Sequence, residues 1–147
     1  MTFRQKQSAK SIVELDFFTW VMDVREGLME MQSVLLIITA PAYGNENAYN
    51  ALRLARALVD VPEVKTSVFL MGDAVAAAKK GQETPNGYYN LAKMLISLTQ
   101  KGVGVGLCGT CMDARGIQEN ELVDGAHRGS MKELADLVQK SDKVLTF

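Results

Sequence analysis

Strand-like and helix-like patterns of apolar residues alternate from residue 32 to the end of the chain. The apolar, β-branched run at residues 33–39 predicts a central strand that is buried on both faces. Apolar positions then recur at helical spacing across residues 47–59, and Pro62 ends this helix because proline cannot continue it. The same order recurs later, with predicted strands at 65–71, 103–107, 122–123 and 143–147 and predicted helices at 74–80, 88–100 and 130–140. This alternation predicts an α/β fold whose sheet is mostly parallel, has about five strands and is covered by helices on both faces.

Residues 1–31 follow a different pattern, in which apolar positions between residues 13 and 28 have helical spacing. We therefore expect an N-terminal extension, helical in part, ahead of an α/β domain at residues 32–147. Two interpretations stay open. The extension packs on the domain or on a neighbouring subunit, or the start is over-long and Met29 or Met31 is the natural first residue.

The composition narrows the class of protein. The chain has 147 residues, with 16 Lys and Arg against 17 Asp and Glu, so it lacks the basic excess of proteins that coat nucleic acid. The longest apolar run, residues 34–38, is far shorter than the roughly 20 residues of a membrane helix. The polar residues 1–10 do not resemble a secretory signal. We therefore expect a cytoplasmic protein with free thiols and neither a nucleic-acid nor a membrane partner.

The most informative segment surrounds the two cysteines, Cys108 and Cys111. It begins at the carboxyl end of a predicted strand, the edge where open α/β sheets bind ligands. Thr110 and Asp113 have the spacing of a capping box, which predicts a helix that starts at Thr110. A thiol at that point would meet unpaired backbone N–H groups and the positive end of the helix dipole, and both favour the reactive thiolate.

The neighbouring residues suggest roles around that thiol. Arg115 adds positive charge within about one helical turn, Gly109 leaves the approach to Cys108 open, and Cys111 is close enough to form a disulfide with it. Asp73 follows the second strand, either as a helix N-cap or as part of the site, and His127, next to Arg128, is a candidate for anion binding. The predicted reactive residues are Cys108 and Cys111, and the predicted stabilising residues are Gly109, Thr110, Arg115, Asp73 and His127.

A pair of cysteines three residues apart also occurs in zinc sites, in redox motifs and in protein cores. Structural zinc needs four ligands, and His127 is the only histidine, so we predict no metal and no cofactor. A thioredoxin motif follows the first strand of its fold, whereas this pair follows the third, yet dithiol redox chemistry stays open. Both residues could also be small, buried core residues, since free cysteine is often simply buried.

Residues 108–117, Cys-Gly-Thr-Cys-Met-Asp-Ala-Arg-Gly-Ile, resemble the DsrE/DsrF-like family of sulfur-relay and YchN-like proteins. The resemblance extends over residues 32–147 and includes residues 41–44 and 68–75. It implies a three-layer α/β/α domain, a homo-oligomer such as a trimer or hexamer, and a cysteine that accepts persulfide sulfur and hands it on. By its spacing to Arg115, Cys108 occupies the position of that cysteine, and Cys111 places the chain in a CxxC-containing subset.

We therefore expect a sulfurtransferase-like persulfide carrier whose partners are a persulfide donor and a thiol acceptor protein. Two alternatives remain open. The first is a dithiol–disulfide redox protein that cycles Cys108 and Cys111, and the second is a non-catalytic, oligomeric binding subunit with structural cysteines.

Overall fold

Five strands and four α-helices alternate through residues 31–86 and 88–147, the part of the chain that this computed structural model describes. The strands are β1 Gln32–Ile38, β2 Val64–Leu70, β3 Gly104–Cys108, β4 Ala126–Gly129 and β5 Lys143–Thr146. The α-helices are α1 Asn47–Val59, α2 Leu91–Gln100, α3 Gly109–Asp113 and α4 Met131–Lys140. The predicted N-terminal extension lies outside the described residues except for Met31. Among the described helices, none is long and apolar enough to cross a membrane.

The five strands form one sheet in the order β4-β3-β2-β1-β5. Every neighbouring pair is parallel, which confirms the predicted α/β fold with a mostly parallel sheet of five strands. Residues 34–36 of β1 are buried, and β2 presents Val68, Phe69 and Leu70 to the core with no exposed surface. Such continuous burial is the reason why these strands are apolar throughout rather than alternating.

The connections place helices on both faces of the sheet. The chain steps from β1 to β4 in one direction across the sheet, and α1 and α2, which cover these steps, pack against each other. It then returns through α4 to β5 at the far edge, beside β1. Because parallel crossovers are right-handed, the return step lays α4 on the opposite face. The architecture is therefore three layers, α/β/α.

The fourth strand lies at Ala126–Gly129, so the strand predicted at residues 122–123 is wrong. Leu122 and Val123 are apolar because they are buried, at 3% and 1% exposure, beside the 3₁₀ segment Gly72–Ala78. There the Val123 N–H donates to the Ala78 carbonyl at 2.8 Å, outside the sheet. The true strand carries no apolar run because it is an edge strand with largely exposed side chains.

Two other elements differ from the prediction by more than one residue. The helix expected at residues 74–80 is instead the 3₁₀ segment Gly72–Ala78. The helix expected from residue 88 begins at Leu91, because the Asn90 side chain accepts the Lys93 N–H at 3.0 Å and caps it. Both differences lie at loops near the carboxyl edge of the sheet, where apolar periodicity carries little information.

Candidate active site

Cys108 stands at the junction of β3 and α3, where it is the last residue of the strand and the N-cap of the helix. Its Sγ accepts the Cys111 N–H at 3.3 Å and lies 3.3 Å from the Thr110 hydroxyl. The helix therefore begins one residue after Cys108, and the predicted capping box that starts at Thr110 is wrong. A thiol sulfur replaces the usual hydroxyl or carboxylate oxygen as the cap of the first turn.

Asp113 does not turn back to cap the helix, because its carboxylate is bound elsewhere. Both of its oxygens accept from the Arg128 guanidinium, at 2.8 and 2.6 Å, in a bidentate pair. The hydrogen bonds from Arg128, together with its positive charge, hold the pKa of Asp113 below its usual value. This pair joins the last residue of α3 to the edge strand β4.

The surroundings of Cys108 favour its thiolate. Burial leaves the side chain only 4% exposed and by itself raises the pKa of Cys108. Hydrogen bonds from the Cys111 and Thr110 side chains and from the backbone N–H groups of both residues outweigh this effect. The pKa of Cys108 is therefore lowered from the ordinary value for a cysteine, as expected of a nucleophilic thiol.

Cys111 behaves in the opposite way. Burial raises the pKa of Cys111, and its hydrogen bond to Cys108 raises it further, because both favour the protonated thiol. The Gly72 N–H and the charge of Arg115 act against this rise and do not overcome it. Of the two predicted reactive residues, Cys108 is thus the one whose thiolate is favoured, and Cys111 is the one whose protonated thiol is favoured.

Arg115 and Asp73 form an ion pair that faces Cys111. The Arg115 guanidinium donates to Asp73 Oδ1 at 3.0 and 2.6 Å and to the Cys111 carbonyl at 3.0 Å. The 3₁₀ segment begins at Gly72 and its N-cap is Met71. Asp73 is the second residue of the segment and is therefore not an N-cap. The pair joins α3 to the segment that follows β2, and the prediction that Arg115 lies near the Cys108 sulfur is not supported by these contacts.

A cavity of about 260 Å³ opens beside Cys108 at the carboxyl edge of β3 and β4. Cys111 does not line it. The lining residues are Cys108, Gly109, Thr110, Arg128, Gly129, Ser130 and Met131. Cys108 is buried except where it meets this cavity, whereas Cys111 is partly exposed elsewhere.

Arg128 lines this cavity and was absent from the predicted site residues. In the parallel register, Arg128 pairs with Leu107 and Gly129 pairs with Cys108. This register can be inferred from the sequence only if β4 is placed at Ala126–Gly129. The predicted strand at residues 122–123 does not give the register that brings Arg128 to the site.

His127 is directed away from the cavity, toward α4. Its Nε2 lies 2.6 Å from Glu133 Oε1, and it is not among the residues that line the space beside Cys108. The Glu133 carboxylate lies against β3 and β4, where Gly106 and Gly129 leave room for it. His127 thus belongs to the packing of α4 on the sheet, and the arrangement does not support the predicted anion-binding role.

Known proteins that resemble this chain were found by sequence and by structure. The DsrE/DsrF-like family model matches residues 32–147. Protein YchN of Escherichia coli is 43% identical over 118 residues, which cover 80% of this chain and all of YchN. Protein MJ0989 of Methanocaldococcus jannaschii is 40% identical over 113 residues, covering 76% of this chain and 96% of that protein.

A more distant relative carries a functional name. Sulfurtransferase TusD of Salmonella typhi is 32% identical over 83 residues, which cover 56% of this chain and 65% of TusD. Among solved structures, the crystal structure of YchN superposes with a TM-score of 0.75 at 43% identity, covering 80% of this chain and all of that one. The likeness to YchN therefore extends from the sequence to the fold.

Proposed function

The chain belongs to the DsrE/DsrF-like family, and on that basis we propose that it is a sulfur-transfer protein in which Cys108 carries sulfur as a persulfide. The family and the sulfurtransferase TusD point to sulfur relay in general terms. The observation that supports a carrier at Cys108 is local. Its sulfur caps a helix, has a lowered pKa and lines a cavity of about 260 Å³.

Loading is a single displacement at sulfur. The Cys108 thiolate attacks the outer sulfur of a donor persulfide, R–S–SH, and a new S–S bond forms as the donor S–S bond breaks. The products are Cys108–S–SH and the donor thiolate, so no external oxidant or reductant is required. The hydrogen bonds to the Cys108 sulfur favour its nucleophilic thiolate.

Unloading uses the same properties in reverse. An acceptor thiolate attacks the outer sulfur of Cys108–S–SH, and Cys108 leaves as a thiolate. A thiol of lowered pKa is a good leaving group, so the features that load Cys108 also favour release. The partners are then a persulfide donor and a thiol acceptor protein, in a reducing compartment such as the cytoplasm. We include in this proposal a homo-oligomer of three or six subunits, which sedimentation analysis would test.

Mass spectrometry tests the carrier role directly. After incubation with a persulfide donor, the parent protein should gain about 32 Da, one sulfur atom, on Cys108 and lose it on reduction. Cys108→Ser should show no gain, and Cys111→Ser, three residues away, is the matched control that should still load. The proposal fails if Cys108→Ser loads as well as the parent.

A second candidate function is dithiol–disulfide exchange, because hydrogen bonding between the two side chains lowers the pKa of Cys108 and raises that of Cys111. In this case the pair would show a reversible midpoint near the cellular redox poise in a glutathione series. A persulfide carrier would instead keep both thiols reduced across that range. Slow alkylation of both cysteines in the native protein would favour the third reading, a binding subunit with structural cysteines.

A further inference from the structure

We propose that Arg128 holds the anionic outer sulfur of the Cys108 persulfide, so that the cavity beside Cys108 is an anion site. The proposal rests on the carrier role of Cys108 and identifies the group that stabilises the carried sulfur. After loading, Cys108–S–SH gives its proton to the departing donor thiolate, which leaves as R–SH. The negative charge then lies on the outer sulfur of Cys108–S–S⁻, inside the cavity.

Gly109 allows the guanidinium to come this close. A Cβ at residue 109 would lie 3.0 Å from both Cζ and Nε of Arg128, which is tighter than ordinary side-chain packing. The guanidinium therefore rests on the backbone of the residue that directly follows Cys108. Glycine at this position thus has a different use from the one that the sequence suggested, because the space it leaves is filled by Arg128.

Asp113 fixes the guanidinium in place. The bidentate pair engages Nη1 and Nη2 of Arg128, which keeps the planar group over α3 and against the cavity. Arginine suits this role because its charge is permanent and its fork of donors can serve two anions at once. Arg115 does not compete for it, since its guanidinium is bound to Asp73 and to the Cys111 carbonyl.

The start of α4 also lines the cavity, through its N-cap Ser130 and its first residue Met131. The first backbone N–H groups of a helix have no carbonyl partner within the helix, and the helix dipole places partial positive charge there. The cavity therefore meets the positive charge of Arg128 and the partial positive charge at the start of a helix of 10 residues.

The charge of the cavity can be measured without any sulfur donor. Iodoacetate and iodoacetamide alkylate the same thiolate, but iodoacetate is an anion and iodoacetamide is neutral. The ratio of the iodoacetate rate to the iodoacetamide rate at Cys108 is measured by tandem mass spectrometry. It reports how strongly the cavity attracts anions, and it does not depend on the amount of thiolate because both reagents react with the thiolate. Arg128→Gln should lower the ratio by roughly tenfold, the low end of the effect of a charged cleft on association rates.

Two further variants make the result decisive. Arg115→Gln removes an equal charge from the neighbouring pair and should leave the ratio unchanged. Arg128→Lys keeps the charge without the bidentate contact and should retain most of the ratio, so a loss in Arg128→Gln alone is due to the charge and not to a change in packing. The proposal is overturned if removing the Arg128 charge leaves the ratio as in the parent, or if Arg115→Gln lowers it equally.

A second readout separates this inference from the carrier role. Once the donor has been removed, the extra sulfur on Cys108 should be lost faster in Arg128→Gln than in the parent. If the parent never gains sulfur, the carrier role fails while the alkylation ratio still measures the anion site. If the parent and Arg128→Gln load and hold sulfur equally, the carrier role stands and the role of Arg128 is refuted.

Discussion

Two cysteines three residues apart have opposite surroundings in this protein. The Cys108 side, formed by Cys108, Gly109, Thr110 and Arg128, offers hydrogen-bond donors and a cation to the sulfur and opens into a cavity. The Cys111 side consists of Cys111, Gly72, Asp73 and Arg115, where Arg115 is paired with Asp73 as Arg128 is with Asp113, and this side does not line the cavity. The pKa of Cys108 is lowered and that of Cys111 is raised.

The difference follows from the position of each residue relative to one helix start. Cys108 is the N-cap, so its sulfur receives the N–H of Cys111, which has no partner within the helix. Cys111 is the third residue of the helix, where the side chain faces the 3₁₀ segment instead. The junction of β3 with α3 therefore fixes which of the two cysteines is the N-cap.

The largest expected difference is in the pH dependence of alkylation. Because the pKa of Cys108 is lowered, its thiolate persists as the pH falls, so in Cys111→Ser the rate should rise at a pH below that of an ordinary cysteine. Because the pKa of Cys111 is raised, the rate in Cys108→Ser should rise only at higher pH. Serine keeps a hydroxyl in place of each lost thiol, so the remaining partner retains a hydrogen-bonding group.

Iodoacetamide rates from about pH 6 to about pH 10 would measure both midpoints. Each unit between the two midpoints corresponds to about a tenfold difference in thiolate at neutral pH. Coincident midpoints, or Cys111 titrating first, would contradict the assignment of Cys108 as the nucleophile.

The second prediction concerns the strand that delivers Cys108 to the helix start. A Cβ on Gly106 would lie 2.9 Å from the ring of Phe69, which has no exposed surface and no room to move. Gly106→Ala should therefore lower the free energy of unfolding by about 1–3 kcal/mol. Gly104→Ala, in the same strand, meets nothing within 4 Å and should change it by less than about 1 kcal/mol. Denaturant unfolding of both variants measures this difference. Equal losses in the free energy of unfolding would show that close packing against β3 does not stabilise its junction with α3.

These contrasts also show what the sequence could predict. The buried strands β1 and β2 were found within about one residue, because burial on both faces requires a continuous apolar run. The two cysteines stood out because their environment is built largely from residues 108–111, which are neighbours in the chain. Local pattern and local chemistry were therefore sufficient for the fold and for the centre of the site.

Contacts between distant segments were not predictable in the same way. Arg128 reaches Asp113 only because the edge strand β4 pairs with β3 in a particular register, and four mostly exposed residues give no apolar signal for that strand. The cap at Cys108 was missed for a related reason. Thr110 and Asp113 match the capping pattern, but the Asp113 carboxylate is better satisfied by two charged hydrogen bonds to Arg128.

The third prediction removes one hydrogen bond from the Cys108 side alone. Thr110→Val keeps the shape of the side chain but removes the hydroxyl that lies 3.3 Å from Cys108 Sγ. The pKa of Cys108 should rise, and its alkylation at neutral pH should slow by about two- to tenfold, the equivalent of one hydrogen bond. Thr110→Ser restores the hydroxyl and should restore the rate, whereas Cys111 should react as before. A slower rate in both variants would instead indicate a change in access to the cavity.

The smallest effect is expected on the Cys111 side, from loss of the ion pair between Arg115 and Asp73. Its partners are 33% and 65% exposed, and surface pairs of this kind contribute less than about 1 kcal/mol to stability. Arg115→Gln should nevertheless raise the pKa of Cys111 further, because it removes the cation that opposes the rise. Cys108 should keep its alkylation midpoint, since hydrogen bonds from Thr110 and Cys111 set it. An equal shift of the Cys108 midpoint would show that both cysteines belong to one electrostatic site, which would contradict the proposed difference between the two sides.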